Sequence, residues 1–228
     1  LHLTCFINFM YNMKYMKQVQ NIKKLENLSY FDFETVSQVT SISGNTLYQC
    51  INRWLKRGLI ITLKKGMFTT NKYIDRLRSK SSYLEFISNK LNYPSYLSSE
   101  YVLSLNQVLT ESVFAYTSIT KKKTNQYSNR YGNFFYRNIS DSLFTGFNIV
   151  SKDGFDIAIA TKSKALFDYL YLKLYRNKVV NKELIDGFRL NLDEFNKNDI
   201  KEFKSYCIKT GIKKYIDLPN LLFNSNDN

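Results

Sequence analysis

The chain has 228 residues, 44% hydrophobic and 16% aromatic, a composition that excludes intrinsic disorder and leaves length for two modest domains. Its 33 basic side chains against 19 acidic ones give a formal charge of +14, which points to a polyanionic partner, nucleic acid before anionic membrane. Three scattered cysteines (Cys5, Cys50, Cys207) and the lone His2 make no CxxC or Cys/His spacing, so no metal site, no cofactor and no Cys/His or Ser/His/Asp chemistry is expected. A reduced, cytoplasmic protein fits this cysteine usage. Abundant Lys, Asn, Ile and Tyr is also what an AT-rich genome produces, so the placement of charge says more than its sum. Residues 1–76 hold 11 basic and 4 acidic side chains, residues 77–180 hold 14 and 7, and residues 181–228 hold 8 and 8. The excess therefore sits on the first and middle parts of the chain.

The opening LHLTCFINFMYNMKYMK starts with Leu, and Asn8 interrupts its apolar run. The run is too short to span a membrane and lacks the basic start and cleavage site of a leader. Residues 1–13 are expected to be a weakly ordered extension, with Met10, Met13 or Met16 as the natural start. Residues 14–28 predict a first helix with Tyr15, Val19, Ile22, Leu25 and Leu28 as its buried stripe.

The stretch from Phe31 to Thr70 then predicts helix, turn, helix and a two-stranded ribbon. Phe33, Val36 and Val39 give the shorter helix its buried side, and the turn Ser41-Ile42-Ser43-Gly44 follows, with Ser43 placed to cap the second helix. In that helix Leu47, Cys50, Ile51, Trp54 and Leu55 share one face. Asn45, Gln49, Asn52 and Lys56 share another, with Thr46 and Arg53 beside them. Amides and a guanidinium are the groups that pair with adenine and guanine edges in a major groove. Gly58 stops the helix. Leu59–Leu63 and Met67–Thr70 then flank Lys64-Lys65-Gly66, a hairpin with a basic tip suited to a phosphate backbone. Residues 14–71 are thus expected to be a winged helix-turn-helix that binds DNA. The bland alternative is a small amphipathic domain in which the same shape serves as a scaffold for RNA or protein contacts.

Residues 72–92 read as a connector helix carrying Arg76, Arg78 and Lys80, and residues 93–223 as a mixed α/β domain of antiparallel hairpins and helices. Asn92–Glu100 is expected to be a loop into a helix capped by Ser98 or Ser99 and continued by Tyr101, Leu105 and Val108. Val113–Thr120 predicts a strand. Hairpins are expected from Gln126–Tyr131 to Asn133–Ile139 through Gly132, and from Leu143–Val150 to Phe155–Ala160 through Lys152-Asp153-Gly154. Thr161 caps a helix over Lys162–Tyr175, and helices are expected at 182–190, 192–210 and 212–223 before a disordered tail at 224–228. The overall class is α+β.

A second basic group, Lys121, Lys122 and Lys123 with Arg130 and Arg137, offers either a further nucleic-acid surface or a solvated turn. The aromatics among them (Tyr127, Tyr131, Phe134, Phe135, Tyr136) are expected to be strand core rather than stacking platforms. Asp153 and Asp156 near Lys162 and Lys164 bring a metal-dependent nuclease to mind. Asp153 before a Gly is a usual turn residue, however, and Asp168 is placed to pair with Lys164 four residues earlier. No catalytic residue is assigned.

Four blocks in order, RWLKRGLIITLKKGMFTT, YPSYLSSEYVLSLNQVL, TSITKKKTNQYSNRYGNFFYRNI and IAIATKSKALFDYLYL, resemble the AbiEi-type antitoxins, transcriptional regulators of phage-defence loci. The resemblance covers residues 30–175 or so. The family commonly has Pro-Glu where this chain has Lys162-Ser163, which loses a helix-start Pro and adds a charge. The resemblance implies an antitoxin of a type IV toxin-antitoxin operon. Such a protein represses its own promoter by binding inverted repeats as a monomer or weak dimer, and counteracts a nucleotidyltransferase-like toxin through its C-terminal domain, generally without a tight complex. From the outward face of the second helix and the basic hairpin tip, the expected DNA-contacting residues are Ser43, Asn45, Thr46, Gln49, Asn52, Arg53 and Lys56, with Lys64 and Lys65 on phosphate.

Overall fold

The computed structural model describes residues 20–223, and the chain divides into two compact units between Lys80 and Ser81. The class is α+β as expected, with a three-stranded sheet in the first unit and a six-stranded sheet in the second. The extension at 1–13, residues 14–19 of the first expected helix and the tail at 224–228 lie outside the described residues.

In the first unit, residues 20–25 are helical (α1) and bury Ile22 and Leu25. The helix ends before residue 28, and Leu28 is 37% exposed instead of completing the stripe. Strand β1, Phe31–Asp32, has no sequence signature, since two residues are too few to show alternation. Asp32 caps α2, Phe33–Thr40, its Oδ1 accepting from the Thr35 backbone N–H and the Thr35 hydroxyl, each at 2.9 Å. The Thr35 N–H is the main cause that holds the Asp32 carboxyl below its usual pKa.

Helix α3, Gly44–Lys56, buries Leu47, Cys50, Ile51 and Trp54. It closes in a Schellman motif: the Gly58 N–H donates to the Leu55 carbonyl and the Leu59 N–H to the Trp54 carbonyl, both at 3.0 Å. Gly58 makes that ending possible with φ +65°, which a residue with a Cβ takes only under strain. Strands β2, Ile60–Lys64, and β3, Met67–Thr70, form an antiparallel hairpin, and β1 pairs with the other side of β3. One core joins the three helices to this sheet through Leu25, Phe31, Val36, Ile51, Trp54 and Phe68. Helix α4, Asn71–Asp75, follows, with Lys72 paired to Glu26 at 3.1 Å and Arg76 donating to the Glu26 carbonyl.

The expected single connector over 72–92 is instead α4 and a separate helix α5, Lys80–Leu91. Helix α5 is a core element of the second unit, burying Tyr83, Leu84, Ile87 and Leu91 together with Ser82, Glu85, Ser88 and Asn89. Burial on several sides is incompatible with a solvated linker.

The second sheet has the order β6-β7-β5-β4-β9-β8. Its strands are β4 (Ser95–Leu97), β5 (Tyr116–Thr120), β6 (Asn125–Asn129), β7 (Gly132–Asn138), β8 (Phe147–Lys152) and β9 (Phe155–Ala160). The β6–β7 and β8–β9 hairpins are both present, but β8 begins at Phe147 rather than Leu143, which lies in a 3₁₀ turn, and Lys152 pairs with Phe155 inside the strand instead of opening the turn. Strand β5 runs parallel to β7 and β4 parallel to β9, so the sheet is mixed. Gly132 pairs with Asn129, which moves the first hairpin's turn to Arg130-Tyr131. The expected loop at 92–100 contains β4, an inner strand buried at all three positions. Helix α6, Ser99–Leu105, stops before Val108, and Leu105 is 52% exposed. Helix α7, Lys162–Lys173, begins under Thr161, whose Oγ1 accepts from the Lys164 N–H at 3.1 Å, and packs against α6 and a later helix, α9 (Lys197–Lys209). Helices α8 (Lys182–Asp186), α10 (Lys213–Ile216) and α11 (Leu218–Phe223) are likewise shorter than their sequence patterns suggest. Among the described residues no helix is long and apolar enough to cross a membrane.

Candidate nucleic-acid interface

Because Leu47, Cys50, Ile51 and Trp54 fix one side of α3 in the core, the opposite side must face solvent. Ser43, Asn45, Thr46, Gln49, Asn52, Arg53 and Lys56 are all exposed there. Ser43 occupies the N-cap position, but its hydroxyl makes no cap hydrogen bond, so its expected local role is not realised. Arg53 is steadied by its Nε donating to the Gln49 carbonyl at 3.3 Å. Among the described residues no carboxylate pairs with Arg53 or Lys56. Between Glu34 and Asp75 the chain carries six cations and no acidic residue; Lys72 is neutralised from outside this stretch by Glu26, whereas Arg53 and Lys56 on α3 are not.

The hairpin is tied to the same region through one ring. Phe33 packs edge-on against Phe68 at 5.4 Å and tilts onto Tyr48 of α3 at 4.9 Å. Gly66, in the turn, lies against the same ring, where an added Cβ would stand 3.7 Å from it. The irregular register between Thr62 and Lys64 precedes this turn, leaving Lys64 half-buried and Lys65 exposed. Tyr48 joins this exposed face, a residue absent from the set expected from sequence. It is 55% exposed, and its position one turn before Asn52 was the available signal.

In the second unit the structure brings together part of the other basic group. Lys121, Lys122 and Lys123 form an exposed turn after β5, and the Asn138 amide donates to the Lys121 carbonyl at 3.0 Å and the Lys122 carbonyl at 2.9 Å. Arg137, adjacent on β7, is exposed. Arg130 is not part of this group: it sits at the opposite end of β7, in the hairpin turn over the Tyr131 ring. Phe134 and Tyr136 are core, with the Tyr136 hydroxyl donating to the Ser88 carbonyl at 2.6 Å.

Of the residues weighed as a nuclease site, Asp153, Lys162 and Lys164 each have a different partner, and Asp156 is exposed on β9. Asp153 accepts from the Ser82 hydroxyl at 2.7 Å, Lys162 pairs with Asp199 at 2.9 Å, and Lys164 pairs with Asp168 at 2.6 Å. The last pair is fully buried, and Asp168 also accepts from the Ser98 hydroxyl at 2.7 Å and the Tyr96 hydroxyl at 3.0 Å. Burial pushes the Lys164 ammonium down and the Asp168 carboxyl up from their usual values, while their mutual attraction opposes both shifts. Gly146 lies where a Cβ would strike the Tyr206 hydroxyl, so this packing depends on a bare backbone. The set joins β4 to α7 as a closed unit. Among the described residues no three or more His, Cys, Asp or Glu side chains are grouped to hold a metal.

Compared with protein-family models and with curated proteins, the chain matches none.

Proposed function

We propose that the chain is a sequence-specific double-stranded DNA-binding protein, with residues 20–75 acting as a winged helix-turn-helix. Helix α3 enters the major groove with Asn45, Thr46, Gln49, Asn52 and Arg53 on base edges, and Lys56, Lys64 and Lys65 meet phosphate. The observation that carries this reading is the outward face of α3: amide, hydroxyl and guanidinium groups, all exposed, on a segment without a single carboxylate. The element order α1-β1-α2-α3-β2-β3 and the sheet order β1-β3-β2 support it. Following the AbiEi resemblance, the protein represses its own promoter by binding inverted repeats as a monomer or weak dimer. Its second unit counteracts a nucleotidyltransferase-like toxin. It acts by binding, in the cytoplasm, with no catalytic residue or cofactor.

The test is fluorescence anisotropy on the protein's own upstream DNA and on a scrambled duplex across a salt series. A preference of about a thousandfold for the upstream DNA is the expected result. Equal, steeply salt-dependent binding to both duplexes would reduce the charge of +14 to a bulk effect and remove the case for α3.

A further inference from the structure

The second unit contains a cleft of about 630 Å³ lined mainly from two places, with Ser99 and Glu100 of α6 and Thr124 completing the lining. One wall is the end of β7 with the residues beyond it, Arg137 to Ser140; the other is the end of α7, with Tyr169, Lys173, Tyr175 and Arg176. The backbone of both walls is tethered by side-chain hydrogen bonds. The Lys214 ammonium donates to the carbonyls of Leu174, Tyr175 and Asn177 at 2.8, 3.1 and 2.9 Å, which holds the backbone that carries Tyr175 and Arg176. On the other side Asn138, itself in the cleft wall, grips the turn of Lys121 and Lys122. Backbone held this way loses little freedom when a ligand arrives.

The chemistry of the cleft is that of a nucleotide strand. Arg137, Lys173 and Arg176 face a single carboxylate in the lining, Glu100. Among the described residues Lys122, Lys123, Arg137 and Arg176 have no acidic partner; Lys121 and Lys173 are loosely paired, with Asp141 at 3.8 Å and Glu100 at 3.5 Å. Tyr175 is 69% exposed, a free aromatic face beside those cations. A concave site with an aromatic wall accepts a base splayed out of a single strand, whereas a duplex keeps its bases stacked. The carboxylate narrows the choice further. It repels phosphate, yet it accepts hydrogen bonds, and with Ser99 Oγ donating to Glu100 Oε2 at 2.6 Å it retains capacity for another hydroxyl donor. The ribose 2′-hydroxyl is the donor that RNA has and DNA lacks.

We propose that this cleft binds single-stranded RNA. Its phosphates lie on Lys122, Lys123, Arg137 and Arg176, one base stacks on Tyr175, and Glu100 accepts from a 2′-hydroxyl. The full chain is titrated by fluorescence anisotropy into a labelled RNA of about 10 nucleotides, within the usual span of such sites, and into single-stranded DNA of the same sequence and duplex DNA. The expected result is RNA bound about tenfold more tightly than the matching DNA strand, with Arg137→Ala/Arg176→Ala losing about tenfold or more and Tyr175→Ala several-fold. Glu100→Gln should erode the preference for RNA over DNA strands. Arg53→Ala should leave RNA affinity unchanged, so that failure of the duplex-DNA reading and failure of this one are told apart. All five positions lie at or near the surface, and circular dichroism with thermal melting confirms that each variant folds. Equal binding of the two single strands by the unaltered chain overturns the proposal. So does an RNA affinity indifferent to Arg137→Ala/Arg176→Ala, or a loss that falls equally on duplex DNA.

Discussion

Helices α3 and α7 are of similar length and both carry charged side chains, but they point them in opposite directions. Helix α3 turns Arg53 and Lys56 to solvent, with no acidic neighbour in its whole segment. Helix α7 turns Lys164 and Asp168 inward, against each other and under the hydroxyls of Tyr96 and Ser98. The difference separates two uses of charge. An exposed, unneutralised cation is available to a partner outside the chain, whereas a buried, fully bonded one is committed to the fold.

The largest effect should come from breaking the buried pair. Lys164→Met leaves Asp168 enclosed without its cation and is expected to destabilise the second unit by roughly 3–5 kcal/mol, read as a fall in thermal midpoint. Replacing both partners by apolar residues should recover much of that loss. If Lys164→Met melts like the parent, the pair is not committed to the fold and the contrast with α3 fails. Arg53→Ala on α3 is expected to do the reverse: stability within about 0.5 kcal/mol of the parent, and about 1–3 kcal/mol lost in discrimination between operator and scrambled DNA. Equal loss on both duplexes would reassign Arg53 to phosphate.

Smaller effects test the frame that holds α3. Asp32→Ala should cost about 0.5–2 kcal/mol through loss of the α2 cap. Because the Asp32 carboxyl is held below its unfolded value, its contribution is present above the ordinary carboxylate pKa and is lost as pH falls through its native one. The parent and Asp32→Ala melting curves should therefore converge toward low pH. The mildest change is Lys65→Ala at the hairpin tip. It should weaken all duplexes alike and reduce the slope of log affinity against log salt by about 1.

The first unit was more legible from sequence than the second, for physical reasons. Amphipathic spacing from Leu47 to Trp54, the stop at Gly58 and the hairpin around Lys64-Lys65-Gly66 are local signals; the structure has the first two at their predicted places and narrows the third to a Lys65-Gly66 turn, with Lys64 in β2. Strand β4 gave no such signal. Ser95-Tyr96-Leu97 is buried on both faces, so it shows no alternation, and the serines and Pro94 around it look like a loop. The i,i+4 spacing of Lys164 and Asp168 correctly suggested a pair. It could not reveal that the pair is buried, since Tyr96 and Ser98 come from far along the chain. The cleft was hidden for the same reason: Arg137 on β7 and Tyr175 just beyond α7 are far apart in sequence and meet only in the folded second unit.

Strand β4 also sets an order of events. The first unit's hairpin closes between neighbours, Ile60 to Thr70, while β4 cannot complete its pairing until Ile159 has been made. Contacts so distant in sequence form slowly, and a chain leaving the ribosome acquires its early segments first. A nascent molecule therefore passes through a stage with a finished amino-terminal unit and an open strand edge behind it. That interval, rather than the mature protein, is when this chain is most exposed to aggregation and to chaperones.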